Sequence, residues 1–147
     1  MTDEKKAEYQ ESMQRGALRE LRAMQLFMEQ GFAVSVPNMN ARYDFIAEKY
    51  PSVFRVQVKN LILKKKKTEK RIDSHDVWCI RTWSFVQGKR HAYTIEDCNF
   101  VVGISYETKD YAIVPISEIE GSVSEYRLSE HSNSKGKEYL NSYKALG

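Results

Sequence analysis

The feature that most constrains this chain is a pair of alternating segments, residues 43–48 and 53–59, joined by a turn at residues 49–52. In both segments apolar and polar side chains alternate, which is the period of a β-strand with one buried face. Pro51 fixes its own φ and has no backbone N–H for a ladder, so it belongs in the turn. The two segments therefore predict a tight β-hairpin that folds about this proline.

The polar faces of this hairpin meet at its open end. Folding about the turn sets Asp44 opposite Gln57, and Lys59 lies two residues further on, on the same face and about 7 Å away. A carboxylate, an amide oxygen and an ammonium group thus converge, which is what a metal ion and a polarised water need. A bulge in the turn would shift the register and separate these groups.

The length and composition indicate one globular domain over residues 1–147. Hydrophobic residues make up 41% and charged residues 29% of the chain, which is typical of a folded protein rather than a disordered one. Cys79 and Cys98 are too few for a disulfide framework and are expected to be buried thiols in a reducing compartment. No apolar run approaches the roughly 20 residues of a membrane helix, and no signal peptide is evident, so we expect a soluble cytoplasmic protein without membrane contact.

Positive charge is concentrated in the middle of the chain. The formal net charge is only +3, yet the stretch from Arg55 to Arg90 holds eleven basic and three acidic residues. An excess of this size favours a polyanionic partner. A solvated lysine-rich loop explains the composition equally well, so charge alone does not choose between the two.

A long helix is predicted at the N-terminus, beginning at Thr2 or Asp3 and ending at Gly31. Its expected buried stripe follows helical spacing and consists of Ala17, Leu21, Met24 and Met28, with Leu18 and Phe27 beside it. Glu20 lies at the edge of that stripe. Its carboxylate either points into a cleft or pairs on the surface with a neighbouring arginine, and the residues alone favour the surface pair.

The remaining pattern predicts further strands and a long basic hairpin. The second strand of the central hairpin is expected to continue through residues 61–63, and β-rich residues resume at 76–85. These form a hairpin over about residues 60–85 with a lysine-rich tip, in which Trp78 or Trp83 is expected to be buried. Other expected elements are strands at 32–36, 100–104 and 111–116, a turn at 87–90, short helical segments at 93–97 and 117–119, and a final helix at 137–145.

The order of these elements and the residues Asp44 and Gln57-Val58-Lys59 resemble the PD-(D/E)XK nuclease superfamily, whose fold is restriction-endonuclease-like. The stretches GALREL, GFAVSVP, YDFIAE, RVQVKN and YTIEDCNFVVGIS are most similar to small intron-encoded homing endonucleases with a QxK motif. The likeness extends from about Gly16 to Ile119. It implies an α/β fold with a mixed central sheet flanked by helices and an extended basic β-hairpin.

The superfamily usually has Asp or Glu where this chain has Gln57. A neutral amide oxygen is a weaker ligand for a hard cation than a carboxylate. The QxK branch tolerates the change because a glutamate on the leading helix supplies charge, which favours Glu20 as a site residue. A copy of the fold that binds DNA and no longer cuts it stays open as an alternative.

The resemblance implies a Mg²⁺ site, with Mn²⁺ able to substitute. Asp44 is the central ligand in this scheme, completed by Glu20, the amide oxygen of Gln57 and the backbone carbonyl of Val58. Lys59 holds the attacking water and stabilises developing charge. The implied catalytic set is therefore Asp44, Gln57, Lys59 and Glu20.

The implied partner is double-stranded DNA, held through its phosphates by basic side chains. The expected contacts are Lys64, Lys65, Lys66, Lys67, Lys70 and Arg71 at the hairpin tip, with Arg42, Arg81, Lys89 and Arg90 as weaker candidates. A small nuclease needs a second copy to cut both strands, so a homo-oligomer, dimer or higher, is expected. A Holliday-junction resolvase-like, structure-specific nuclease is the alternative enzyme, and an RNA-binding module lacks the expected aromatic signature.

Overall fold

A computed structural model of the chain describes residues 2–65, 76–130 and 136–147, with the side chain of residue 65 left out. It begins with one long helix, α1, at Asp3–Glu29. The hydroxyl of Thr2 accepts a hydrogen bond from the backbone N–H of Lys5, which confirms the predicted cap. Gly31, with φ of 88°, reverses the chain into the first strand. Within the described residues, no helix is both long and apolar enough to cross a membrane.

The helix buries only part of the predicted face. Phe27 is buried and Met24 packs against the core as expected, whereas Leu21 and Met28 are 58% and 53% exposed. Ala23 and Leu26 are fully buried instead. The prediction was wrong at these positions because the apolar residues of α1 form two stripes, and hydrophobicity alone does not say which one meets the sheet. The buried stripe extends N-terminally to Glu20, which therefore lies on the sheet side of the helix.

In the part of the chain that the structure describes, seven strands form one mixed sheet and two more form a separate ribbon. The sheet contains β1 (Ala33–Ser35), β2 (Phe45–Lys49), β3 (Ser52–Lys65), β4 (Asp76–Arg81), β7 (Phe100–Ile104), β8 (Tyr111–Pro115) and β9 (Glu125–Leu128). The ribbon pairs β5 (Trp83–Val86) with β6 (Lys89–Ala92) through a two-residue turn. The mixed sheet and the restriction-endonuclease-like fold are as predicted.

The 14-residue strand β3 is the axis of the sheet. Its first part pairs antiparallel with β2 in the predicted register, with Phe45 opposite Val56 and no bulge. Its middle pairs parallel with β7, and its last part pairs antiparallel with β4, where Leu61 faces Ile80. The long hairpin of β3 and β4 is thus confirmed over the described residues, while its tip at residues 66–75 lies outside them.

Each face of the sheet has its own apolar core. Under α1, a set of interlocking aromatic rings includes Phe27, Phe45 and Phe100, packed edge to face. The opposite core contains Trp78 and Tyr93, and Trp83 is buried as well. Cys79 and Cys98 are both buried, in agreement with their predicted role as small apolar groups.

The predicted helical flank of the sheet is confirmed on the face of the first core, where α1 is the one α-helix of the described residues. Short 3₁₀ turns cover the second core instead, at Ile116–Glu118, Lys137–Tyr139 and Lys144–Leu146. The predicted final helix is interrupted where Asn141 adopts φ of 50°. The predicted helix at 93–97 is a turn closed by hydrogen bonds between Thr94 and Asp97, and β9 was not predicted.

Gly103 should be irreplaceable, because a Cβ there would lie 2.7 and 2.9 Å from side-chain carbons of Ile80. Ile80 and the neighbouring Leu61 are fully buried and have no room to yield. We expect Gly103→Ala to lower the free energy of unfolding by about 1–3 kcal/mol. Urea denaturation followed by circular dichroism measures this change.

Gly16→Ala is the matched control, because a Cβ at Gly16 would come no closer than 3.9 Å to Arg19. Inside a helix, alanine is favoured over glycine by about 1 kcal/mol, so this variant should gain stability. If Gly103→Ala is as stable as Gly16→Ala, the packing between β4 and β7 is not as described.

Candidate active site

The site begins where β2 fails to continue alongside β3. The ladder between the two strands ends at Phe45 and Val56, and the N–H of Asp44 donates to the Val56 carbonyl at 2.8 Å. The next N–H on that edge belongs to Val58. It donates to Oδ2 of Asp44 at 2.7 Å. A side-chain carboxylate thus takes the place of a backbone acceptor, and this fixes Asp44 at the open end of the hairpin.

The carbonyl of Val58 is directed to the same edge as its N–H, because both groups of one residue point to one side of a strand. The side-chain Nε2 of Gln57 donates to that carbonyl at 3.3 Å. A carbonyl oxygen has two lone pairs, so one remains for another partner. The Val58 carbonyl therefore faces the edge at which the carboxylate of Asp44 lies, and the amide of Gln57 is hydrogen-bonded to that carbonyl.

Glu20 reaches the same place from α1. Its carboxyl lies within hydrogen-bonding reach of Asp44, although the two residues are on different elements. Burial raises the pKa of Glu20, and the negative charge of Asp44 raises it further. Burial also raises the pKa of Asp44, opposed by the Val58 N–H and the charge of Lys59. The predicted surface pairing of Glu20 is replaced by a carboxyl pair in a cleft.

Lys59 completes the cluster from the same face of β3. Its Nζ donates to the backbone carbonyl of Trp83 at 3.3 Å and lies 5.0 Å from the ring centroid of Tyr93. The ammonium group is half-buried, and its charge acts on Asp44. Neither Trp83 nor Tyr93 was predicted at the site. No local pattern signals them, since they reach Lys59 from 24 and 34 positions along the chain.

The donor atoms suit a hard divalent cation. Within the described residues, no three His, Cys, Asp or Glu side chains form a metal-binding group. The pair of Glu20 and Asp44 is supplemented by neutral oxygens from Gln57 and Val58, which is an all-oxygen set of the kind Mg²⁺ prefers. A cation between these two half-buried carboxyls would also relieve their repulsion. The residues present therefore fit the implied metal.

The predicted DNA contacts separate into three groups. Arg42 is held internally, because its guanidinium pairs with Asp97 at 2.8 Å and lies over the ring of Tyr93. This favours a structural role for Arg42. Four predicted basic contacts on the described strands have exposed side chains: Lys64, Arg81, Lys89 and Arg90. The side chain of Lys65 and residues Lys66, Lys67, Lys70 and Arg71 lie outside the described part of the chain.

A mixed sheet that presents Asp44, Gln57 and Lys59 at the mouth of one hairpin, with a glutamate from the leading helix, is the core of a restriction-endonuclease-like nuclease. The sequence profile of the PD-(D/E)XK endonuclease family matches residues 10–146. The chain therefore belongs to the PD-(D/E)XK endonuclease family and is a nuclease. This agrees with the predicted superfamily.

A solved structure supports the fold. The chain resembles a bacterial homing endonuclease, I-Ssp6803I, with a TM-score of 0.68 and 18% sequence identity over 91% of each chain. At this identity the likeness shows a shared fold. No curated protein matches the sequence significantly.

The variant Asp44→Asn should keep the fold and lose the response to metal. Asparagine can still accept the Val58 hydrogen bond but carries no charge. A carboxyl whose pKa is raised by folding destabilises the folded state as pH rises through that raised value. At neutral pH the variant should therefore melt at or above the temperature of the wild type in EDTA.

Saturating Mg²⁺ should raise the melting temperature of the wild type, since a ligand at 100 times its Kd adds about 2.7 kcal/mol of stability. Asp44→Asn should not respond, and the wild-type response should shrink as falling pH protonates the carboxyl pair. Differential scanning fluorimetry across a pH series measures both effects. A variant that melts several degrees lower in EDTA would show that Asp44 is a structural support.

Proposed function

We propose that this nuclease is a Mg²⁺-dependent endonuclease that hydrolyses phosphodiester bonds in double-stranded DNA, of the site-specific homing type. The observation that carries the proposal is the convergence of Glu20, Asp44, the Val58 carbonyl and Lys59 at one sheet edge. The family and the basic middle of the chain support a polyanionic substrate. We further propose that residues 1–147 form one nuclease domain acting inside the cell, where DNA is found.

Asp44, Glu20, the Gln57 amide and the Val58 carbonyl are proposed to hold the metal. When bound, a divalent cation lowers the pKa of water and neutralises charge on phosphate oxygens. Mn²⁺ prefers the same oxygen ligands as Mg²⁺ and is expected to substitute. Glu20 compensates for the missing third carboxylate, since it brings a charge that Gln57 does not.

Lys59 is proposed to orient the attacking water. An ammonium group has three donors, and the Trp83 carbonyl accepts one of them. Two donors remain for a water and a phosphate oxygen. The ring of Tyr93 beside Nζ attracts the cation and helps to hold it in place. Lysine suits this position because its ammonium is compact, whereas the wide fork of arginine would span the site.

The long hairpin favours extended duplex contact over binding of a junction. Strand β3 alone has 14 residues and continues well beyond Lys59 into the basic segment. Lys64, Lys65, Lys66, Lys67, Lys70 and Arg71 are proposed to contact phosphates there, with Arg81, Lys89 and Arg90 from the next strands. A structure-specific, resolvase-like enzyme remains the alternative nuclease.

One observation favours a protein that binds DNA without cutting it. The side-chain N–H of Gln57 donates to the Val58 carbonyl, so one neutral ligand oxygen is already hydrogen-bonded within the site in the absence of a metal. Such a site holds a cation less tightly than three carboxylates. Replacement of Gln57 by glutamate tests this alternative, because it should lower the Mg²⁺ concentration needed for half-maximal cleavage.

Cleavage of supercoiled plasmid DNA tests the proposed activity. The wild type should nick plasmid in Mg²⁺ and not in EDTA. Asp44→Ala should reduce the rate to background, and Lys59→Ala should reduce it by about 10²–10³-fold, which is typical for loss of one charge-stabilising donor. Lys49→Ala is the matched control, because that exposed lysine lies at the opposite end of the hairpin.

Wild-type rates in both active-site variants would show that the assigned site is wrong. Competition with unlabelled DNA then distinguishes the two enzyme types. A four-way junction that competes far better than a long duplex would favour the resolvase-like alternative. If random-sequence duplexes all compete equally well, the proposal of a site-specific endonuclease is contradicted.

A second copy of the chain is proposed to pack against α1. Met13, Leu21 and Met28 are 60%, 58% and 53% exposed on that helix, which is unusual for apolar side chains of this size. Residues 3–14 hold four acidic and two basic residues, whereas 15–29 hold three basic and two acidic. An antiparallel pair of α1 helices related by a twofold axis would set the acidic half against the basic half.

Sedimentation analysis should therefore show a dimer or a larger species. Leu21→Glu should shift the protein toward the monomer and leave the circular dichroism spectrum unchanged, because the side chain is exposed within one copy. Val53→Glu is the control for a nonspecific effect of an added acid, because Val53 is 55% exposed and lies outside α1. A monomeric wild type at micromolar concentration would contradict the proposal.

A further inference from the structure

A cavity of about 440 Å³ lies next to the candidate active site. It is lined by Arg81, Trp83, Arg90, Ser124, Glu125 and Arg127. Trp83 joins the cavity to the active site, because its ring forms part of the cavity wall while its carbonyl accepts the hydrogen bond from Lys59. Trp83 therefore contacts both the cavity and Lys59.

Two of the arginines are held against that tryptophan. The guanidinium carbons of Arg81 and Arg90 lie 4.6 and 4.1 Å from the centroid of the Trp83 ring. The face of an indole is negative, so it favours cations at this distance and fixes their orientation. Arg90 also donates to the Val123 carbonyl at 3.3 Å. The side chains of Arg81 and Arg90 are therefore held in position, although both are exposed to solvent.

The pairing register of β4 and β9 places a third arginine, Arg127, on the same face as Arg81. Arg81 pairs with Glu125 across β4 and β9, and Arg127 follows two residues later, opposite Cys79, so all three side chains lie on one face. Within the described residues, none of Arg81, Arg90 and Arg127 forms an ion pair. Three like charges are thus gathered around one cavity without a protein anion bonded to them.

The single acid in the cavity wall is already engaged. Both carboxylate oxygens of Glu125 accept hydrogen bonds from Nζ of Lys64, at 2.9 and 2.8 Å. This bond lowers the pKa of Glu125, and the charge of Arg127 lowers it further, so the carboxylate is hydrogen-bonded to the hairpin lysine while its charge also acts on Arg127. The arginines consequently keep free donors in a fork geometry that matches phosphate oxygens.

We propose that Arg81, Arg90 and Arg127, together with Trp83, form a second phosphate-binding site for a non-scissile phosphate of the DNA being cut. This inference rests on the proposed DNA-cleaving function. A phosphate in the cavity holds the strand in register, and the Trp83 backbone transmits that register to Lys59. Arg127 thereby becomes a binding residue that the sequence did not suggest, and Trp83 a positioning residue.

The salt dependence of duplex binding tests the proposal. Binding of a random-sequence duplex in EDTA, which prevents cleavage, should weaken with salt along a straight line in a log–log plot. The slope falls by about 0.9 for each lost phosphate contact. We expect Arg127→Ala to lose about one such increment, whereas Arg127→Lys and the remote control Lys49→Ala keep the wild-type slope.

Free phosphate is the other source of the same chemistry, and thermal melting in inorganic phosphate at constant ionic strength distinguishes it. Arg127→Ala with an unchanged slope, while wild type binds and cuts, overturns this inference alone. If the slope is unchanged and inorganic phosphate raises the melting temperature of the wild type but not of Arg127→Ala, the cavity binds the free anion. This outcome also overturns the inference about DNA. Wild type that fails to bind duplex overturns the proposed function as well. Equal melting temperatures in buffer verify that the variants fold.

Discussion

The hydrogen bond from the Val58 N–H to the carboxylate of Asp44 is the interaction on which the site depends. It exists because β2 starts two residues too late to pair with Val58, so the ladder ends and a side chain completes it. The same gap leaves the Val58 carbonyl directed at the carboxylate. An unpaired, half-buried backbone edge is costly unless a partner is supplied, and here the partner of the Val58 N–H is a carboxylate that is also a proposed metal ligand. The geometry of the site therefore follows from the residue at which β2 begins.

Strand β3 links this edge to the stability of the whole sheet. Val56 and Val58 point into the core beneath α1, while Gln57 and Lys59 between them point to the site. Because the side-chain period of a strand is two, a slip of one residue would exchange these sets and bury a lysine. The parallel pairing with β7, at Gly103 opposite Lys59, prevents such a slip. Catalytic geometry is thus held by the same register that packs the core.

Sequence reasoning found the parts of the site that are local to the hairpin. Strict alternation and a proline turn determine the register of Phe45 with Val56, and the register brings Asp44 and Lys59 together. Sequence reasoning failed where two alternative local structures have similar free energies. The apolar residues of α1 make two stripes, and only the sheet selects Ala23 and Phe27 over Leu21. It also failed for Trp83, whose contact with Lys59 depends on where β4 bends into β5.

Charge explains why these features occur together. The carboxyl pair of Glu20 and Asp44 and the cluster of three arginines each gather like charges that a protein selected for stability alone would separate. Binding of the opposite charge would offset the repulsion within each cluster, and we propose a cation for the first and a phosphate for the second. The two clusters have opposite signs and are joined through Lys59 and Trp83. A DNA strand would satisfy both clusters if a metal neutralised its charge at one point and the arginines neutralised it at the next. The two clusters can therefore be regarded as one surface.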